Sequence, residues 1–109
     1  ILARRDCLTL DNGMRLRLLS ALEVLQARRE AEGLARAPKE HALCSNACLL
    51  ARALETEEGS PIFSGGEAVL AGLRVGEIAA LAKIWSQFNR EENPALTMGQ
   101  EEAEALKKN

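Results

Sequence analysis

"VGEIAALAKIWSQFNREENP", Val75–Pro94, decides how this chain is read. Ile78, Leu81, Ala82, Trp85 and Phe88 follow the i, i+3, i+4, i+7 rule, the spacing that lines side chains along one face of an α-helix. The stripe holds the only Trp of the chain and one of its two Phe, so it predicts a helix turned toward the chain's own core. Glu77 falls in the first turn, where a carboxylate suits the positive end of the helix dipole. Pro94 disfavours helical geometry at Asn93 and ends the element. Ile84 falls off the stripe. With Leu96 and Met98 just beyond Pro94 it makes a candidate exposed contact patch, and Phe88, nearer the helix end, is counted with them as a candidate interaction residue.

Upstream, Glu67–Gly72, "EAVLAG", predicts a short helix with Gly66 near its start. "EEGSPIFSGGE" (57–67) interrupts the helical pattern with three Gly, a Pro and two Ser, and so reads as a loop. Its Ile62 and Phe63 are expected to fold back over the core, because an exposed Phe forfeits ~1.5–3 kcal/mol of burial. A minor extended segment fits there. Pro38 to Thr56 predicts the most buried helix, with Leu43, Ala47, Leu50 and Leu54 on one stripe and Leu49 and Ala53 widening it. Pro38 suits a first helical turn, where its missing amide costs nothing; "ARAPKE" (35–40) connects it to what precedes.

A first long helix is expected from Asp11 or Asn12, either of which can cap free amides. Leu18, Leu22 and Leu25 give its stripe, widened by Leu19, and Gly33 is its expected stop. "ALTMGQEEAEALKKN" (95–109) predicts a loosely attached C-terminal helix after Thr97 or a tail, with thin apolar content at Met98, Ala103 and Leu106. Only 3% of residues are aromatic against 47% apolar, so Leu and Ala must build the core, and strand-favouring residues are few. The expected fold is therefore all-α: one helical domain over 1–109, a bundle of four to five helices around a Gly/Pro loop at 57–66.

Charge limits the partners. The net charge is −2, which argues against a general nucleic-acid binder. Residues 1–54 carry nine Lys/Arg against six Asp/Glu (+3) and residues 55–109 five against ten (−5), a modest polarity suited to association of copies or simply to solvated faces. No apolar run approaches the ~20 residues that span a bilayer. "ILARRDCLTL" lacks the pattern of a secretory signal, and with an opening Ile rather than Met a missing N-terminal segment is expected. Three Cys, an odd number, are expected as reduced thiols in a cytoplasmic protein.

Three motifs could carry chemistry. His41, Cys44 and Cys48 share a helix face, but a closed zinc site needs four ligands, and Cys7 is distant, so these Cys are read as core fillers. His41 beside Cys44 has no identifiable orienting carboxylate or oxyanion hole, and no catalytic residue is assigned. "SGGE" precedes a helix but matches neither GxxxxGK[ST] nor GxGxxG. A helix-turn-helix DNA reader is the rival class; its recognition helix, 76–91, would offer Lys83 and Arg90 against Glu77, Glu91 and Glu92.

"LCSNACLLARALE" (43–55), "GSPIFSGGEAVLAGL" (59–73) and "GEIAALAKIWSQFNREENP" (76–94) together resemble the phage tail assembly chaperones, small helical proteins encoded in phages and prophages beside the tape-measure gene. The resemblance covers about half the chain, Leu43–Pro94, and rests on apolar spacings and turn residues. It departs at Val75-Gly76, where a polar helix cap is expected. It implies a non-enzymatic assembly factor, without cofactor or metal, in the host bacterial cytoplasm. Such a factor binds the tape-measure protein and other tail components before the tube polymerises, and self-associates. An open apolar groove between helices is the surface such a protein needs.

Overall fold

A computed structural model describes residues 6–92, and it builds a hairpin where the first helix was expected. Strand β1, Cys7–Thr9, pairs antiparallel with β2, Arg15–Arg17, placing Leu8 opposite Leu16. Between them Asp11-Asn12-Gly13 is a turn rather than a helix cap. The Leu10 N–H donates to the Met14 carbonyl at 2.7 Å, and the Gly13 N–H to the Leu10 carbonyl at 3.1 Å. The Asn12 side chain accepts the Met14 N–H at 3.1 Å. Gly13 has φ of 88°, a left-handed conformation that costs glycine nothing, and a loop with Gly at that position suits the twist of a hairpin. Arg-Leu-Arg then alternates with period two, so Leu16 is fully buried while both arginines lie on the opposite face.

Helix α1, Ala21–Leu34, starts some ten residues later than expected because Ser20 caps it. The Ser20 hydroxyl accepts the Glu23 N–H at 3.1 Å, and the Glu23 carboxylate accepts the Ser20 N–H at 3.0 Å. This reciprocal box satisfies two amides that would otherwise lack partners. Gly33 lies inside the last turn, and the helix stops instead at the extended Ala35. With this start the buried stripe becomes Ala27 and Ala31. Leu22 and Leu25, expected in the core, are 59% and 45% exposed.

After a single 3-10 turn at Pro38–Glu40, α2 runs His41–Ala53 and carries six buried residues, more than any other element. It ends before the expected Thr56 because Leu54–Glu55 become strand β3, paired antiparallel with β2. The Glu55 carboxylate lies 3.2 Å from Arg15 Nε and 3.5 Å from Arg17 Nε, an ion pair that ties β3 to β2. The chain then turns at Gly59, and the Ile62 N–H donates back to the Leu54 carbonyl at 3.4 Å. Glu55 and Pro61 bridge, which is the minor extended segment expected in the Gly/Pro loop. Ile62 and Phe63 are half-buried against the core, as expected of them.

Helices α3, Gly66–Gly72, and α4, Val75–Glu92, complete the described fold. Helix α4 lacks a Ser or Thr cap, but Glu77 supplies the function by accepting the Arg74 N–H at 2.9 Å. Its expected end at Pro94 and the C-terminal helix after Thr97 lie outside the described residues. The architecture is mostly helical with a small three-stranded antiparallel sheet in the order β1-β2-β3, so the all-α expectation is corrected. Helices α1, α3 and α4 all pack on α2. The main core joins Leu16, Leu50, Leu54, Val69, Ile78 and Trp85, and a smaller one of Ala27, Ala31, Cys44 and Cys48 fills the α1–α2 seam.

Two glycines separate propensity from packing. A Cβ on Gly33 meets nothing within 4 Å, whereas one on Gly66 collides with Cys48 Sγ and sits 3.1 Å from its Cα. Gly33→Ala is expected to stabilise the chain by about 0.5–1 kcal/mol through helix propensity. Gly66→Ala is expected to destabilise it by about 1–3 kcal/mol by pushing α3 off α2. Urea midpoints at constant slope check both.

Candidate functional site

Because α1 and α4 each pack on α2, a groove of about 510 Å³ remains between them. Val24, Leu25 and Arg28 of α1 form one wall, Ser45 and Leu49 of α2 the floor, and Trp85 and Asn89 of α4 the other wall, with Leu19 closing one end. The lining mixes apolar side chains with polar surface from Arg28, Ser45 and Asn89, and Arg28 is its one charged residue among those described. Leu22, more than half exposed one turn before Leu25, extends the apolar surface beyond the groove along α1.

The walls are held by polar clamps. The Trp85 indole N–H donates to the Arg17 carbonyl at 2.8 Å, which fixes the ring against β2 while leaving it 6% exposed. The Arg17 guanidinium is bidentate on Glu23 and also faces Glu55, tying the start of α1 to the sheet. The Glu23 carboxyl is pulled from its ordinary 4.5 to about 2, chiefly because Arg17 donates to it; burial opposes this and the Ser20 amide adds to it. On the far side of α1, Glu30 accepts from Arg52 at 2.6 Å and from the Gly66 N–H at 2.7 Å, joining α1, α2 and α3. Burial alone would raise the Glu30 pKa, but these donors outweigh it and the net shift is downward.

These arrangements also place the residues singled out for chemistry. The amide that opens the "SGGE" helix is already taken by Glu30, so this turn presents an internal carboxylate contact. His41 is exposed, while Cys44 and Cys48 are buried in the α1–α2 seam. The Cys48 thiol is pushed up to about 12, first by burial and then by the neighbouring Glu30 carboxylate, which leaves it neutral and unreactive. Among the described residues no three His, Cys, Asp or Glu side chains come together as a metal site would require. No described helix is long and apolar enough to cross a membrane.

Of the four residues assigned to interaction, Ile84 is exposed, at 40%, and Phe88 is not, at 2%. Phe88 belongs inside because it continues the Ile78–Trp85 stripe. Leu96 and Met98 lie outside the described residues. Ile84 borders a separate cavity of about 230 Å³ with Leu8, Gln87 and Glu91, on a different face of α4 from Trp85 and Asn89. The groove itself was missed because Leu22 and Leu25 were assigned to the core. The available signal was Ser20-x-x-Glu23, which moves the helix start and turns both leucines outward. Compared with known proteins, the chain matches no family model, no curated protein and no solved structure.

The Glu23 clamp predicts a pH signature. Its folded pKa lies below its unfolded value, so its stabilisation is complete above 4.5, declines as pH falls, and is gone below about 2. The melting-temperature gap between the native chain and Glu23→Gln is expected to be constant above pH 4.5 and to close toward pH 2, read by circular dichroism.

Proposed function

We propose that this chain is a non-enzymatic assembly factor of the tail assembly chaperone type, whose α1–α2–α4 groove takes the apolar stripe of an amphipathic client helix. The observation that carries the reading is the pairing of an apolar groove with two exposed leucines beside it, Leu22 and Leu25. Burying an apolar side chain gains about 1.5–3 kcal/mol, so a folded chain that leaves two leucines exposed beside a groove keeps that energy for a partner. A helix laid between α1 and α4 would bury both leucines and rest on Leu49 and Trp85. Arg28 favours a client with a carboxylate flanking its stripe.

The client class follows from the resemblance of Leu43–Pro94 to the chaperones encoded beside the tape-measure gene. A tape-measure protein is a long helical chain with repeated apolar stripes, so many copies of a weak binder coat it with avidity. Exposed charges on α4 suit this protein-directed reading better than a DNA-directed one. Lys83 and Arg90 stand among Glu77 and Glu91, and phosphate contacts need a clearly basic face.

Co-expression with fragments of a phage tape-measure protein tests the proposal. The native chain is expected to hold such a fragment in the soluble fraction. Leu22→Glu/Leu25→Glu is expected to lose it while changing stability by no more than about 0.5 kcal/mol per site, since both side chains are exposed. Full retention of the fragment by that variant, or duplex binding that falls steeply with salt, overturns the reading.

A further inference from the structure

We propose that the outer edge of β1, with the cavity between β1 and α4, docks an extended segment of a partner protein as a fourth strand. The segment places an apolar residue opposite Leu8 and a basic residue opposite Asp6. This surface is separate from the groove and does not depend on it. Backbone parity sets its first part. The Leu18 N–H donates to the Asp6 carbonyl at 2.9 Å and the Leu10 N–H to the Met14 carbonyl at 2.7 Å. With Leu8 opposite Leu16 in the same register, Asp6, Leu8 and Leu10 turn their backbone groups toward β2. In an antiparallel ladder the alternate residues turn theirs the other way. Cys7 and Thr9 therefore aim two N–H groups and two carbonyls away from the sheet. Among the described residues no strand pairs with that side of β1.

The two margins of the sheet differ. Beyond β3 the chain folds back and Glu55 bridges Pro61, and a proline has no N–H with which to extend a ladder. The β1 margin, Cys7-Leu8-Thr9, carries none of the Pro or Lys guards that keep an edge strand from pairing. Outward amides and carbonyls in alternation specify an extended chain, since only that conformation meets them in step.

Side-chain chemistry selects the segment. Leu8 lines a cavity of about 230 Å³ with Ile84, Gln87, Phe88 and Glu91. Leu16, its neighbour on the β2 side, is fully buried, whereas Ile84 is 40% exposed, so the cavity opens on the unpaired side of β1. On an added antiparallel strand the residue opposite Leu8 makes a non-hydrogen-bonded pair, with Cα atoms about 4.5 Å apart and its side chain on the cavity face. Two positions further along the added strand, on the same face, lies the residue opposite Asp6, which is exposed. Lys or Arg suits that position, because oppositely charged cross-strand pairs attract. A second copy paired about Leu8 would set Asp6 against Leu10, so this edge does not complement itself. Arg4 and Arg5 precede Asp6 and lie outside the described residues; dominance of their charge would reverse the preference and favour an acidic segment.

The test uses the full chain and a blocked heptapeptide, Thr-Val-Thr-Val-Thr-Lys-Thr, whose second Val takes the place opposite Leu8. In nitrogen-15 spectra the peptide is expected to shift the amides of Cys7, Thr9, Ile84 and Gln87 and to slow hydrogen exchange at Cys7 and Thr9. N-methylation of the Thr on either side of that Val is expected to weaken binding about tenfold, because each methyl removes a donor to a β1 carbonyl. Glu in place of the Lys is expected to weaken it about threefold. Thr9→Pro removes an outward N–H and none that bonds to β2; this variant and Ile84→Asp are each expected to abolish binding while keeping the circular dichroism of the native chain. No shift at Cys7 and Thr9 with millimolar peptide overturns the proposal, as does indifference to N-methylation or tighter binding of the Glu peptide. Slow exchange at Cys7 and Thr9 without peptide also overturns it, assigning the edge to a second copy if the protection rises with protein concentration and to the chain itself if it does not. Loss of peptide binding in Leu22→Glu/Leu25→Glu overturns it as well, by placing the peptide in the groove.

Discussion

A helix packed by neighbours on several sides cannot carry large side chains on all of them. Helix α2 meets this constraint with Ala47, Cys48, Ala51 and Ala53, all buried, and with Leu50 as its one large fully buried residue. Close approach follows. Gly66 brings the start of α3 against Cys48, and Ala27 and Ala31 bring α1 against Cys44 and Cys48. A Leu in place of any of these small residues would widen a seam and lose contacts along its length, because interiors pack near crystal density. The rest of the molecule is arranged around this narrow helix.

Narrow seams leave little apolar area for stability, and polar clamps set the register instead. Glu55 between Arg15 and Arg17 ties the third strand to the second; Glu30 between Arg52 and the Gly66 amide sets the start of α3. Both carboxylates link elements distant in the chain, 40 residues apart for Arg15 and Glu55 and 36 for Glu30 and Gly66. Part-buried pairs of this kind add less to net stability than they do to the definition of one arrangement, since desolvation offsets much of their attraction. Among the described residues no buried side-chain polar atom is left without a partner.

The same geometry makes the groove. Helices α1 and α4 both pack on α2 and are both tied to β2, through the Trp85 bond to the Arg17 carbonyl and the Arg17–Glu23 pair. With the walls pinned this way, the space above Leu49 stays open. A preformed apolar groove costs little ordering on binding, which favours a partner that brings its own amphipathic helix.

Period and punctuation in the chain were enough to place α2, α3 and α4, the 57–66 loop and the inward stripe of Ile78 and Trp85, though not to keep Phe88 off the list of contact residues. These are local: each follows from side chains within a few turns of one another. Two local signals, Asp11-Asn12-Gly13 for a hairpin and Ser20-x-x-Glu23 for a cap, were equally legible but were outweighed by a run of leucines, and with them went the outward facing of Leu22 and Leu25. The conversion of Leu54–Glu55 from helix to strand is different in kind. The Gly/Pro loop that follows accounts for the end of the helix, but no residue beside Glu55 calls for a strand there; that pairing comes with β2, where its carboxylate meets Arg15, forty positions earlier, and Arg17. The groove likewise belongs to no one segment. It exists because α1 meets α2 along short side chains while α4 meets it with a tryptophan tied to a distant carbonyl, an arrangement that only their mutual packing sets.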